Sequence, residues 1–533
     1  MDTPFAASDR RVGPQSVGAT AASRFVWPVC AVLLIAAYAV FASFVVLPGN
    51  VDVSWLLTIG ERVLDGERLS VDIIEVNPAF SVWLYLPFVL LERLTGLPAE
   101  LWVSAGIAAL AIASVWFSAR VAARTDETLK RHLWMLPLAV FFVLFLFPID
   151  FGQREQIAVI ALLPWLALFC ARDRNVDFKA GSLAERIVAG MGAGIFVMIK
   201  PPYSVLALAA PALSVALRRR SPRPLLTTEN VIGALLTLAY LGALAMFMRP
   251  FFTDVMPLLR QVYLPMRMPV VDVLMLWQVT TFVAMTVATL AMAYPGRPDR
   301  DAGTMLLAGA AYVPAFVIMG KGWTYQAVPF LTFGVLALML QYGRLKPFRG
   351  LPLPAKAGAA LGFFSIVLLT ALQQGLAYTQ SRRDLDAATA AIMRAVDNPT
   401  MMSIASQLQF SNPLTRMAGG RFVARQQSGW MINDAAMLMA IEPDPEARQN
   451  LADLRQAYTA SIAQELAVKR PDIIIDDGTT GPRPPVLLKL QNLPPLPSLH
   501  DAPAIAQALR NYRLLYQSAS VTVFIRDDIA DRG

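Results

Sequence analysis

The sequence predicts a mainly α, polytopic helical membrane protein that ends in a soluble α/β domain, and three observations carry the prediction. Of 533 residues 56% are apolar and only 16% charged, against about 25% charged in an average soluble chain. The apolar residues gather into runs such as Phe25 to Leu47, Leu101 to Ala123 and Ala357 to Leu376, each near the roughly 20 residues that cross a bilayer. From Ala377 the pattern changes. Charged helical stretches (Asp384 to Val396, Pro445 to Lys469) alternate with short β-like runs (Asp472 to Ile475, Ser518 to Ile525) and a proline-rich loop from Gly481 to Pro497.

Residues 1–24 form a tail carrying Arg10, Arg11 and Arg24. The run after it lacks a small-residue cleavage site and reads as a retained anchor. The net charge of +8 is not one patch, so no nucleic-acid surface follows from it. From Ala377 onward 16 basic residues meet 16 acidic ones, and the excess, 30 bases against 22 acids, lies before that point. Six clusters hold 21 of those 30 bases: Arg10/Arg11/Arg24, Arg120/Arg124/Lys130/Arg131, Arg172/Arg174/Lys179/Arg186, Arg218/Arg219/Arg220/Arg223, Arg297/Arg300 and Arg344/Lys346/Arg349/Lys356. The positive-inside rule puts all six in the cytoplasm. From a cytoplasmic N-terminus this fixes spans near 25–47, 101–123, 133–148, 157–171, 187–199, 203–217, 230–248, 273–294, 303–320, 325–342 and 357–376. The count is eleven, or about eleven to thirteen with the ambiguous stretches. An odd number places residues 377–533 on the far side of the membrane domain 25–376, which is the periplasm if the membrane is a bacterial inner membrane.

One stretch, Ala79 to Leu97, breaks this parity. Its Pro87, Glu92 and Arg93 suit a re-entrant or interfacial helix, and a misplaced neighbouring boundary is the alternative. The pair 187–199 and 203–217 is short, about 20 Å of helix each. Cys30 and Cys170 both fall in apolar runs, so they form no disulfide framework or zinc spacing.

Four segments that share the outward face could carry chemistry. The first loop, 48–78, carries Asp52, Glu61, Asp65, Glu67, Asp72 and Glu75 against two bases, Arg62 and Arg68. Trp55 to Leu64 suits an interfacial helix with Glu61 and Arg62 facing water. Asp52 stands at its N-terminal end, where the dipole favours a carboxylate and where a plain N-cap is the bland reading. The second segment, Phe147 to Gln156, presents Asp150, Gln153, Arg154 and Glu155, with an Asp150–Arg154 salt bridge as the bland reading. The third is Lys200-Pro201-Pro202-Tyr203, whose lysine has no acid nearby in sequence. It either snorkels or needs an anionic partner. The fourth, Gly320 to Gln326, sets Lys321 beside Trp323 and Tyr325, which could equally form an interfacial belt. With Arg249, Arg260 and Arg267 in the loop between Met248 and Val273, the set suits a polyanionic lipid head group, whose phosphate needs cations and whose chemistry needs a base. The two histidines, His132 and His500, form no cluster, and no glycine-rich phosphate loop or nucleophile motif is present. Hydrolase and metalloenzyme readings are weak.

The order of these elements resembles the GT-C superfamily of integral membrane glycosyltransferases, which includes the aminoarabinose transferase of lipid A and the protein O-mannosyltransferases. A first span leads to an outward Asp, here Asp52 in VDVSWLLTIGERVLDGERL. An acidic stretch ending in proline follows, here Asp72-Ile-Ile-Glu75-Val-Asn77-Pro78, then a second acidic turn with Asp150, Gln153 and Arg154, and a lysine turn at Lys200. The family commonly has two prolines followed by Leu, where this chain has Pro78-Ala79-Phe80. The resemblance covers the membrane region to about Leu376. It implies transfer of a sugar, with inversion, from a polyprenyl-phosphate donor to a cell-envelope acceptor, a glycolipid, polysaccharide or protein. It implies Asp52 as general base and Lys200 at the leaving phosphate, helped by Arg154, Arg260 or Lys321. Glu75 and Asp150 would orient sugar or acceptor, with Asp72, Asn77, Gln153 and Tyr325 among the residues lining the substrate. No nucleotide site is needed. A divalent cation stays open, since outward acids could hold one but no ligand spacing argues for it. The runner-up is a non-enzymatic transporter or flippase of lipid-linked glycans, which should show internal repeats and midplane charges on both access routes. A polymerase or ligase using lipid-diphosphate donors is the third reading.

Overall fold

The structure, a computed structural model, describes residues 32–33, 36–126, 148–174, 181–200, 203–343, 382–477 and 499–531. The predicted N-terminal tail, most of the spans 133–148 and 357–376, the boundary at Ala377, the loop 481–497, and Cys30, His132, Pro201 and Pro202 lie outside the described residues.

The first helix, Ala36–Gly49, turns by 82° into α1 (Val51–Leu64), so α1 runs nearly perpendicular to it. Pro48 and Gly49 end the first helix, and Asn50 starts the second by accepting a hydrogen bond from Val53 N at 3.1 Å. Asn50 and not Asp52 is therefore the N-cap, and Asp52 sits in the first turn. Among the described residues the stretch 79–97 holds no helix long and apolar enough to cross a membrane. After the short helix Phe80–Trp83 it forms α2 (Leu86–Thr95), which ends where Gly96 takes φ 72°. Ten residues reach about 15 Å. Pro87 fits the first turn of α2, where no amide hydrogen bond is lost. Gly60 lets α2 lie against α1, since a Cβ there would stand 3.1 Å from Val89 Cγ2.

The long helices follow: α3 (Ala99–Thr125), α4 (Arg154–Arg174), α5 (Leu183–Ile199), α6 (Val205–Arg219), α7 (Thr228–Phe247), α8 (Trp277–Ala293), α9 (Arg300–Met319) and α10 (Thr324–Gly343). Among the described residues α3, α4, α7, α9 and α10 are long and apolar enough to cross a bilayer. The predicted pair 187–199 and 203–217 remains short as α5 and α6. The predicted span 273–294 divides into Val270–Leu274 and α8. Helix α4 is the axis. Of its most apolar window 94% is buried, against 17% for the peripheral α7, and α3, α5 and α10 pack around it. The α4–α5 approach requires Gly192, where a Cβ would collide with the Ala161 carbonyl oxygen.

The end of this bundle that carries the basic clusters is knitted by acids. Arg172 pairs with Glu229, Arg174 with Asp301, Arg124 with Glu185 at 2.7 Å, and Arg218 and Arg219 with Asp173 at 2.5 and 3.5 Å.

The C-terminal domain comprises α11 (Arg383–Ala395), α12 (Trp430–Ile441) and α13 (Pro445–Lys469) around five strands: β1 (Thr400–Ser403), β2 (Arg421–Phe422), β3 (Ile473–Asp476), β4 (Tyr512–Gln517) and β5 (Thr522–Arg526). Their order is β2-β1-β3-β5-β4. The first three are parallel, pairing Met401 with Phe422 and Met402 with Ile474, and β5 joins antiparallel with Phe524 opposite Ile474. Ile473, Ile474 and Ile475 are all fully buried, so β3 is covered on both faces, as expected for a central strand.

This domain seats directly on the first outward loop. Arg62 donates to Ala424 O at 2.6 Å, Ile74 N to Arg425 O at 2.8 Å and Arg425 to Val71 O at 2.6 Å, while Trp55 meets Phe422 edge-on at 5.9 Å. Arg416 bridges Glu61 and Glu100. The expectation that Glu61 and Arg62 face water fails for this reason: the domain covers α1, and Arg62 is 5% exposed.

Candidate active site

Three chain turns converge at the end of α4 away from the basic clusters. Asn50 locks two of them together. Its Oδ1 accepts from Gln153 Nε2 and its Nδ2 donates to Ile149 O, both at 3.1 Å. Gly152 completes the second turn at φ 87°, where a Cβ would stand 2.7 Å from Leu47 Cδ2, so glycine answers both the backbone angle and the space. Helix α4 then starts at Arg154.

Asp52 consequently faces Arg154, with Oδ2 3.9 Å from Nη2, and Gln153 hydrogen-bonds its carboxylate. Arg154 also donates to Ser81 Oγ at 3.1 Å. One residue on, Glu155 pairs with Lys200 at the C-terminal end of α5, Nζ to Oε1 2.5 Å. The Lys200 ammonium lies 5.5 Å from the centre of the Tyr325 ring. Lys200 thus has its anionic partner within the protein. Glu75 accepts from Trp55 Nε1 at 2.5 Å and from Asn77 N and Nδ2 at 2.7 and 2.5 Å, and its carboxyl feels the charge of Arg154.

Four acids, Asp52, Glu75, Asp150 and Glu155, therefore gather around two bases. Burial pushes the Asp52 carboxyl above its usual range and Glu155 adds to this, while Arg154, Gln153 and Lys200 pull it back. Asp150 is pushed up to about 8, by burial first and then by Glu155 and Asp52. Burial also raises Glu75 against the pull of Arg154, and lowers Lys200 against the pull of Glu155. Asp52 and Lys200 are the accessible ends of the cluster, their side chains 25% and 15% exposed, while Arg154 and Glu155 between them are enclosed at 5% and 1%. An open carboxylate across from an ammonium, with a guanidinium beside it, can take a proton at one end and meet developing negative charge at the other.

The structure thus gathers Asp52, Glu75, Asn77, Asp150, Gln153, Arg154, Lys200 and Tyr325. Asp72 lies apart in a surface turn, paired with Arg68 at 3.1 Å. Arg260 is exposed on the segment Leu259–Tyr263. Lys321 is buried and donates to the carbonyls of Tyr263, at 2.5 Å, and Met266. Burial lowers its pKa, and the α12 residue Asp434 works against that, so Lys321 ties this segment to the outer domain. Glu155, named with its turn from the sequence but given no role there, completes the surroundings together with Asn50, Trp55 and Tyr263, which were not singled out as site residues. Asn50 was findable, because an Asn after Pro-Gly and before an apolar helix is an N-cap signal. Among the described residues no group of three or more His, Cys, Asp or Glu side chains is arranged to hold a metal ion.

No protein-family model matches the chain, and no curated protein matches it. Two solved structures of ArnT from Cupriavidus metallidurans share its fold. One, bound to undecaprenyl phosphate, gives a TM-score of 0.54 at 14% identity over 95% of this chain and 98% of its own. The other, in the apo state, gives 0.53 at 13% identity over 95% and 99%. AglB from Archaeoglobus fulgidus, an archaeal oligosaccharyltransferase solved with an inhibitory peptide and a dolichol-phosphate, gives 0.41 at 13% identity over 85% and 70%. The chain is a helical membrane protein with the fold of these ArnT structures and a small C-terminal sheet domain.

Proposed function

We propose that the protein is a membrane glycosyltransferase that moves a sugar from a polyprenyl-phosphate donor to a hydroxyl of a cell-envelope acceptor on the outward face of a bacterial inner membrane. The observation that carries this reading is the Asp52–Arg154–Glu155–Lys200 cluster: a base and two cations on facing turns, open only at its ends. The fold shared with ArnT, solved with undecaprenyl phosphate, supports the donor class.

In this reading the acceptor oxygen attacks the anomeric carbon while Asp52 takes its proton. The bond from that carbon to the phosphate oxygen breaks on the opposite side, which inverts the configuration. The leaving phosphate monoester gains negative charge beside Lys200 and Arg154, whose positive groups are already fixed in place. Glu155 holds Lys200, and Glu75, fixed by Trp55 and Asn77, acts on Arg154 through its charge. A carboxyl raised toward neutrality is the stronger base.

Purified protein in proteoliposomes, given a labelled polyprenyl-phosphate sugar and an envelope extract, tests this. Asp52→Asn should cut transfer by about 10²–10⁴-fold with normal yield and thermal stability. Full transfer by that variant removes Asp52 as the base, and translocation of the lipid-linked sugar without a new glycosidic bond defeats the whole reading in favour of a transporter.

A further inference from the structure

A cavity of about 270 Å³ lies at the seam between the first outward loop, the segment 254–258 and the C-terminal domain. It is just below the ~300–1,000 Å³ usual for small-molecule sites and has room for one sugar ring. The loop contributes Ser70 and Ile74, the outer domain Gln426, Tyr458 and Ser461, and the lateral segment Val255. Two lining side chains carry buried polar atoms that have no hydrogen-bond partner among the described residues: Ser70 Oγ and Gln426 Oε1. These residues are 3% and 4% exposed. Such atoms are costly unless something fills the space beside them. Ser70 is also held at φ 67°, a strained backbone angle for a residue with a side chain.

The chemistry of the walls selects the occupant. Arg425 and Asp254 face the cavity with opposite charge, and Arg425 is already engaged with the Val71 carbonyl. The two opposite charges offset one another, so the walls favour a neutral ligand over an anion. An amide, hydroxyls and a tyrosine on one side with apolar walls on the other match a neutral sugar, whose hydroxyls bond and whose ring face packs. The wall at Ile74 is one residue from Glu75, which reaches Trp55 and the Asp52 cluster. A donor entering from the membrane would set its phosphate at Lys200 and Arg154, so the seam is left for the other substrate. We infer that this cavity is a subsite for a neutral sugar unit of the acceptor glycan, placed at the seam by the loop and the outer domain together; this rests on the glycosyltransferase reading above.

The full-length protein in detergent should show saturation-transfer NMR signals with at least one methyl glycoside from a panel of neutral hexoses and N-acetylhexosamines. Inorganic phosphate should not compete. Gln426→Leu and, independently, Ser461→Val should weaken that binding tenfold or more with unchanged thermal stability, while Asp52→Asn should leave it intact. Binding unchanged in both cavity variants, no glycoside bound by the wild type, or displacement by phosphate each overturns the subsite. If instead the wild type forms no glycosidic bond from the labelled donor while the cavity binds sugar as described, the glycosyltransferase reading fails and the sugar site stands.

Discussion

Helix α4 carries buried charge at both ends, and the two ends are built differently. At one end Asp173 and its neighbours Glu229 and Asp301 meet Arg172, Arg174, Arg218 and Arg219, so every acid has a strong cationic partner. At the other end four acids, Asp52, Glu75, Asp150 and Glu155, gather around only Arg154 and Lys200. Among the described residues both ends hold buried polar atoms without a hydrogen-bond partner, Glu229 Oε2 at the first and Asp150 Oδ2 and Gln153 Oε1 at the second, so the difference lies in charge. The first arrangement is balanced in charge and ties four helices together. The second is short of positive charge, the condition expected of a site that a ligand completes. Buried charge alone does not mark function; its incomplete matching does.

The comparison can be broken most sharply at Lys200. Lys200→Met should lower transfer at least about 100-fold and destabilise the protein by about 3–5 kcal/mol, because Glu155 is left buried and unpaired. Adding Glu155→Gln should restore the thermal midpoint but not the transfer rate; recovery of both would make the pair merely structural. At the completed end Asp173→Asn should cost about 1–3 kcal/mol, read by thermal unfolding in detergent. The discount reflects that Arg218 stays half exposed and shares its charge with water. Its transfer rate per folded molecule should match the wild type.

Asp150 gives the pH test. Its carboxyl titrates near 8 in the folded protein and near 4 when unfolded, so the folded state holds the extra proton between these values. Its share of stability is whole below about pH 4 and is lost as pH rises through about 8. Asp150→Asn should flatten that slope in melts taken from pH 5 to 9. Asp72→Asn should do least. Its carboxylate sits in an exposed pair with Arg68, so less than a twofold change in transfer and no resolvable change in midpoint are expected; a large rise in acceptor KM would show that the surface turn meets substrate.

Much of this was legible in the sequence, for identifiable reasons. Runs of apolar residues gave α3, α4, α9 and α10 to within about three residues, because bilayer thickness fixes helix length. Asp52, Arg154 and Lys200 stood out because charges beside apolar runs are rare. The Glu155–Lys200 pair was hidden, because it joins the start of one helix to the end of its neighbour, and helix rotation is set by packing at places such as Gly192. Tyr263 was hidden too, since the π-helical segments Phe251–Val255 and Leu259–Tyr263 carry no regular period to read. The seating of the outer domain on α1 left no sequence signal, because Arg62 and Glu61 look like any solvated pair.

That seating also sets a clock on assembly. Arg62 and the Ala424 carbonyl are 362 residues apart, so at ~5–20 residues per second a ribosome needs roughly 20–70 s between making one and the other. Through that interval the acidic loop stands uncovered, and it closes only once the last domain has been synthesised and delivered to the same side. A chain that stalls before Phe422 keeps Trp55 and Arg62 without the partners that cover them in the finished fold.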